Sequence, residues 1–396
     1  MSEKDIILNV DYFDTCGNIK NDLYGEKYID NLFKNAAEQG VNIVFWRISV
    51  VGKVFYRSNV EYIINDSIDN EHSKRVKDIM SSFDPVELAV KYARKYNIQI
   101  YIWMTMYDDY YPKISSKLMQ EHPEWQWVDR SGDLYYQGVF NYCYEGLREY
   151  KLKMIKELAD YGSDGIFLSI RSHAPHTDNP YDYEDMFGYN KPVVEEYKKR
   201  YGIDITQFDD VRFERTENLV RYPLYSGGPK DKPLYMYDDE TWQRLKGEYH
   251  SLFIREVSEY LREKNQKLIV LVSGDYTGVY ALGLTNKRTA LFHADYNKWV
   301  DEGLVSGLVI MPVYQWQPAL YKKPCPTVEQ ELEQLRRYRN DLGNRTKIYL
   351  WYDVAYGHKY NWNDIRMFAE KYLKNEKSYL LDGIVLHEEQ VFEFGL

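Results

Sequence analysis

Eight short runs rich in β-branched and aromatic residues recur along this chain, and stretches of helical period separate them. They lie near residues 5–10, 42–47, 99–104, 165–170, 267–272, 306–311, 347–352 and 383–387. Most are apolar at nearly every position, as in IVFW, IYIW, GIFL, LIVLV and GLVIM, and strands covered on both faces read this way. Strand and helix in alternation predict a parallel sheet clothed by helices. Eight such units, with no GxGxxG after the first strand, favour a (β/α)8 TIM barrel over a doubly wound dinucleotide fold.

The intervening helices announce their ends. Ile29, Leu32, Phe33 and Ala36 share one face, and Gly40 sits where a C′ glycine would stop the turn. Asp84, Pro85 and Glu87 supply an N-cap, an N1 proline and an N3 acid for the next helix. A third carries Leu147, Met154, Ile155, Leu158 and Ala159 and stops at Gly162, a fourth runs from Pro192 to Gly202, and a long fifth covers about 239–264. Thr327 and Gln330 form a capping box for a helix expected to continue to Gly343, and Ile365, Phe368, Ala369, Tyr372 and Leu373 mark the last one. Ser163-Asp164-Gly165-Ile166 before the fourth run echoes Leu381-Asp382-Gly383-Ile384 before the eighth. Both aspartates precede strand starts, on the stability face of a barrel, so they are read as structural turn residues.

The connections after strands 2, 3 and 4 are the long ones, rich in Tyr, Asp and Trp, and 206–238 with Gly227-Gly228-Pro229 reads as an irregular excursion. No linker marks a second unit, so residues 1–396 are expected to form a single barrel domain.

Composition narrows the function. Apolar residues at 44% and charged residues at 28% suit a globular chain with a sizeable core. The net charge of −10 argues against a surface that tracks phosphates, so no nucleic acid is expected as partner. No run approaches the roughly 18 apolar residues of a membrane span, and no signal-peptide core follows Met1, so the chain as given is expected to be cytoplasmic, or secreted or periplasmic if a leader was trimmed. Cys16, Cys143 and Cys325 are far apart, without a CxxC pair, and predict neither a disulfide framework nor a thiolate zinc site. The chain holds 40 Tyr, 15 Phe and 9 Trp, more rings than a core requires. Rings with a polar tip suit a cleft that meets flat, partly apolar ligands such as sugars.

In a barrel, chemistry belongs at the C-terminal ends of strands. Those ends deliver Asp11 and Asp14, Arg47, Asp108 and Asp109, Arg171 and His173, Asp275, Tyr314 with Gln315 and Trp316, Tyr352 and Asp353, and His387 with Glu388 and Glu389. A rim of carboxylates, arginines and rings is what glycosidic cleavage needs: one carboxyl protonates the leaving oxygen while another attacks or activates water. Asp353 and Glu388 lead as the catalytic pair, with Asp275 and Asp109 in reserve. Glu388 and Glu389 point opposite ways if the strand continues, and Glu388 is preferred. Arg47, Arg171, His173, Tyr314, Trp316 and Tyr352 are expected to bind and orient the sugar, although structural ion pairing is an equal reading for either arginine. Trp125, Trp127, Trp316 and Trp351 are candidates for stacking on sugar faces, against a default place in the core. His173-Ala-Pro-His176 has HxxH spacing, but Pro175 prevents a helix and no third ligand follows, so no metal is expected. No cofactor is expected either, since hydrolysis requires none.

Several stretches resemble a known group. His122-Pro-Glu-Trp125, Asp129-Arg-Ser-Gly132, Leu147-Arg-Glu-Tyr-Lys-Leu152, Asp164-Gly-Ile-Phe-Leu168, Arg171-Ser-His173, Phe187-Gly-Tyr-Asn190, Pro192-Val-Val-Glu-Glu-Tyr197 and Arg200-Tyr-Gly-Ile-Asp204 are similar to segments of the bacterial glycosyl-hydrolase-like TIM-barrel proteins labelled family-10-like. The likeness covers most of the chain and implies a carbohydrate-active barrel with its site on the strand C-terminal face. Many members of that group carry Asp directly after the fourth strand, followed by Arg; here Arg171 matches and Ser169 stands for the acid. Either the acid has moved to Asp275, Asp353 or Glu388, or the barrel binds sugar without cutting it. The expectation is thus a glycoside hydrolase acting on an oligosaccharide or polysaccharide fragment. A catalytically silent carbohydrate-binding barrel is the alternative, and a metal-dependent hydrolase a more distant one. Oligomeric state is not legible in the sequence.

Overall fold

The computed structural model describes residues 4–18, 25–50, 52–64, 71–111, 114–172, 187–206, 214–216, 219–221, 239–273, 280–281, 290–312, 326–354, 360–387 and 392–393. Eight strands form a closed ring: β1 (Asp5–Val10), β2 (Ile43–Arg47), β3 (Gln99–Thr105), β4 (Gly165–Ser169), β5 (Lys267–Ser273), β6 (Gly307–Met311), β7 (Lys347–Asp353) and β8 (Gly383–His387). Every pairing is parallel, and β8 closes on β1 through Asp5 opposite Gly383. This is the expected (β/α)8 barrel, and its strands start and stop within one residue of the apolar runs. Continuous apolar sequence works here because each strand is buried twice, by the ring's own interior and by the helices outside.

Helices α1 (Tyr12–Asn18), α2 (Glu26–Glu38), α3 (Glu71–Ser82), α4 (Pro85–Lys95), α5 (Lys117–Glu121), α6 (Glu145–Ala159), α7 (Lys191–Tyr201), α8 (Asp239–Glu263), α9 (Tyr296–Asp301), α10 (Val328–Glu333), α11 (Arg336–Leu342) and α12 (Asp364–Leu373) connect the strands. None of them is long and apolar enough to cross a membrane. Asp84 caps α4 by accepting from the N–H groups of Val86 and Glu87, as its sequence predicts. Both capping-box bonds of Thr327 and Gln330 form at the start of α10. The helix expected from Thr327 to Gly343 is nonetheless two. At Gln334 and Leu335 the backbone donates to the residue three back rather than four, which tightens the turn and sets Leu332 and Leu335 both fully in the core.

The echo between the fourth and eighth strands has a shared cause. Asp164 accepts from Ile100 N–H through its side chain and donates its own N–H to Ile100 C=O; Asp382 does the same with Ile348. Each aspartate thereby caps the start of the neighbouring strand. The glycine that follows lets strands approach: a Cβ on Gly165 would lie 2.0 Å from Lys267 O, and one on Gly383 2.4 Å from Asp5 O. These residues set barrel closure at the N-terminal face.

The long connections follow strands 2, 3 and 4. After β2 come an antiparallel pair, Ser49–Val50 with Lys53–Val54, then α3 and α4; after β3 come the pair Gln126–Val128 with Tyr135–Phe140 and α6. Of the expected excursion at 206–238, residues 207–213, 217–218 and 222–238 lie outside the described residues. A short hairpin, Glu214–Thr216 with Leu219–Arg221, is seen within it.

Candidate active site

Strand parity decides which side chains reach the inside of the ring. On β7, Trp351 packs against Trp103 of β3, Phe167 of β4 and His387 of β8, with ring centroids 5.8, 6.4 and 4.6 Å away. β3 and β7 stand opposite each other in the ring, so these indoles meet across its interior. Phe45 of β2 stacks on Phe167 at 4.2 Å in the same apolar layer. Trp103 is fixed from β4, where the buried Ser169 hydroxyl accepts its indole N–H at 2.9 Å. Ser169, at the position where the resemblance expects an acid, therefore holds the floor of the site.

Polar side chains from the strand ends sit on this floor. Arg47, at the end of β2, donates Nη1 to Asp11 Oδ2 and Nη2 to Asp108 Oδ2, the latter at 3.2 Å. Its guanidinium carbon stands 5.4 Å from the centre of the Trp103 ring, a cation–π distance. All three charged groups are buried. Burial opposes the Arg47 charge, but Asp11, Asp108 and Asp14 outweigh it and raise its pKa above the ordinary arginine value. Asp11 also accepts from the Asp14 N–H at 3.2 Å, which tightens the turn leaving β1.

A second constellation lies along β7, β8 and β1. Trp351 Nε1–H donates to Asp353 Oδ1 at 2.9 Å, and His387 Nε2 stands 3.9 Å from the same oxygen. On its other side His387 Nδ1 meets the Asn9 amide at 3.3 Å. With that amide donating to Nδ1, the neutral imidazole carries its proton on Nε2, the nitrogen nearer Asp353. Asn9 and His387 are buried, and Asp353 is half-buried.

The expected site residues therefore divide. Asp353 and Arg47 come to the mouth. Tyr352 does not: one position out of phase with Asp353, its ring packs on Phe368 and Tyr372 of α12, at 6.1 and 5.0 Å, in the helix layer. Asp109 also turns away. It accepts from Lys151 Nζ of α6 at 2.7 and 2.9 Å, with both groups buried. Burial pushes its carboxyl up to about 6 while Lys151 opposes the rise. Asp109 and Tyr352 thus leave the catalytic and sugar-binding sets for structural reasons. Glu388, Asp275, His173, Tyr314 and Trp316 lie outside the described residues, as does the side chain of Arg171. Of the stacking candidates, Trp127 is buried with its indole N–H on Phe140 O, and Trp125 is sandwiched by His122 at 3.7 Å and Tyr144 at 6.1 Å.

Asp11, Asp108 and His387 stood at strand ends in the sequence but were not singled out. Asn9 and Trp103 were missed. The signal for Asn9 was available, as the one amide in the apolar run Ile-Ile-Leu-Asn-Val. Among the described residues no group of three or more His, Cys, Asp or Glu side chains is placed to hold a metal ion, and the HxxH pair lies outside them.

No family model matches the chain, and no curated protein sequence does. Solved structures do. The catalytic domain of β-amylase from Paenibacillus polymyxa is similar with a TM-score of 0.54 at 10% identity, over 100% of this chain and 96% of that one. The PgaB (BpsB) glycoside hydrolase domain from Bordetella bronchiseptica is similar with a TM-score of 0.56 at 9% identity, over 98% and 95% of the two chains. At such identities the likeness establishes the shared barrel fold. It agrees with the barrel fold that the sequence resemblance implies; the family-10-like group rests on the sequence motifs alone.

Proposed function

We propose that residues 1–396 form a single barrel domain that hydrolyses glycosidic bonds in an oligosaccharide or polysaccharide fragment bound at the C-terminal mouth. The observation that carries this reading is the convergence of Asp353, His387 and the Arg47-held pair Asp11 and Asp108 over one aromatic floor. Asp353 is assigned the proton donor to the leaving oxygen. It accepts from an indole N–H, which holds the carboxyl that delivers the proton at the mouth, and an imidazole nitrogen stands 3.9 Å from the same oxygen. Asp11 and Asp108, held in place by a shared guanidinium, put two carboxyl groups at the mouth where the oxocarbenium-like transition state forms. Glu388, next in sequence to His387, is retained as the second reacting carboxyl. No step calls for a cofactor.

A second reading follows from Ser169, bonded to Trp103 where the resembling group carries an acid. In that reading the barrel binds sugar and leaves it intact. Reducing-end release on a panel of glycans separates the two. Hydrolysis predicts release by the wild-type chain that drops by about 10²–10⁴-fold in Asp353→Asn, with glycan binding retained. Saturable binding without release by the wild type selects the silent barrel, and release abolished by a chelator overturns both.

A further inference from the structure

Outside the ring, the last turn of α7, the middle of α8 and the segment 293–298 leading into α9 enclose a cavity of about 440 Å³. Gly247 makes it possible. A Cβ there would stand 1.8 Å from His293 O, so α8 and the incoming segment run in backbone contact, tied also by His293 N–H donating to Gln243 O at 2.9 Å.

The lining is cationic in a chain of net charge −10: Arg200, Arg244, Arg255 and Lys298 face it, against Glu248 and Asp295. Both carboxylates are engaged. Glu248 accepts from Arg200 Nη1 through both oxygens, at 2.9 and 2.8 Å, and Asp295 Oδ1 accepts from Lys298 N–H as the cap of α9. Arg244 spends Nε and Nη2 on Glu240, and Arg255 spends Nη2 on Glu302, which leaves the other guanidinium N–H groups of each as donors. The Lys298 ammonium, the His293 ring and the Tyr249 hydroxyl have no hydrogen-bond or ion-pair partner among the described residues. Donors therefore outnumber acceptors in a preformed cavity. Burial, with Arg244 and Arg337, holds the His293 imidazole below its ordinary value against Asp295 and Glu240.

We propose that this cavity binds a tetrahedral oxyanion, a phosphate or sulfate group, at a second site built from helix-layer residues and separate from the barrel mouth. Planar guanidinium groups and a free ammonium are the side chains that recognise such groups. Ligand binding here is independent of whether the mouth cuts, binds or ignores sugar.

The experiment is a titration of the full chain with inorganic phosphate near neutral pH, followed by calorimetry and by the ring-proton resonances of His293. One saturable site is expected, with the His293 titration midpoint moving upward when phosphate is bound. Lys298→Ala and Arg255→Ala should each weaken binding about tenfold or more, the loss of a charge-assisted contact, while Lys298→Arg keeps it. Lys298 is exposed, so its replacement leaves the fold intact. Sulfate competing with phosphate supports the site. No saturable binding, an unmoved His293 midpoint, or equal affinity in the Lys298→Ala and Arg255→Ala variants overturns it.

Discussion

Along the β1–β3 arc of the mouth, Asp11 and Asp108 close on one guanidinium; along the β7–β8 arc, Asp353 meets an indole N–H and an imidazole. Both arcs place carboxylates at strand ends above the same Trp103–Trp351 contact, yet they treat charge differently. A buried carboxylate gripped by arginine is held in one geometry. One held by uncharged donors can take up and release a proton. On the function we propose, this contrast gives shape to the first arc and proton transfer to the second.

The sharpest way to break this contrast is to remove the shared cation. Arg47→Met removes the guanidinium that two buried carboxylates share and is expected to cost about 3–5 kcal/mol in chemical denaturation. Asp353→Asn, which keeps the oxygen that Trp351 contacts, is expected to cost under about 1 kcal/mol. Equal costs would erase the distinction between the arcs.

A smaller effect sharpens it. Asp108 and its neighbour Asp109 leave the same strand end but pair with different cations, Arg47 in the mouth and Lys151 in the helix layer. Because Asp109 titrates at about 6 in the folded chain, against an ordinary 3.8, the folded state holds the extra proton between these values. Its contribution to stability is therefore full below about pH 4 and is lost as pH rises through 6, with a slope of at most about 1.4 kcal/mol per unit. Stability measured against pH should show this component in the wild type and lose it in Asp109→Asn. An unchanged slope would mean that the Lys151 pairing dominates burial.

Much of the barrel was legible in the sequence because its signals are local and redundant. Near-continuous apolar runs marked β1 to β8, and Asp84 with Pro85 and Thr327 with Gln330 marked helix starts through bonds within one turn. The break at Gln334 and Leu335 was not legible, since tertiary packing of Leu332 and Leu335 decides it. In the site, position at a strand end named the right neighbourhood, but two choices exceeded what it encodes. Tyr352 and Asp353 differ only in parity, and the inward face of β7 is set by Trp351 meeting Trp103 across the ring. Asp108 and Asp109 begin an irregular loop, where no period says which carboxyl reaches Arg47 and which reaches Lys151.

The central claim, that Asp353 donates the proton to the leaving group, is tested most directly with aryl glycosides whose phenols span a wide range of acidity. The account predicts that Asp353→Asn loses the most kcat/KM on the poorest leaving groups and recovers towards wild type on the most acidic phenols, which depart without protonation. A loss that is the same across the series, or absent throughout, would contradict it.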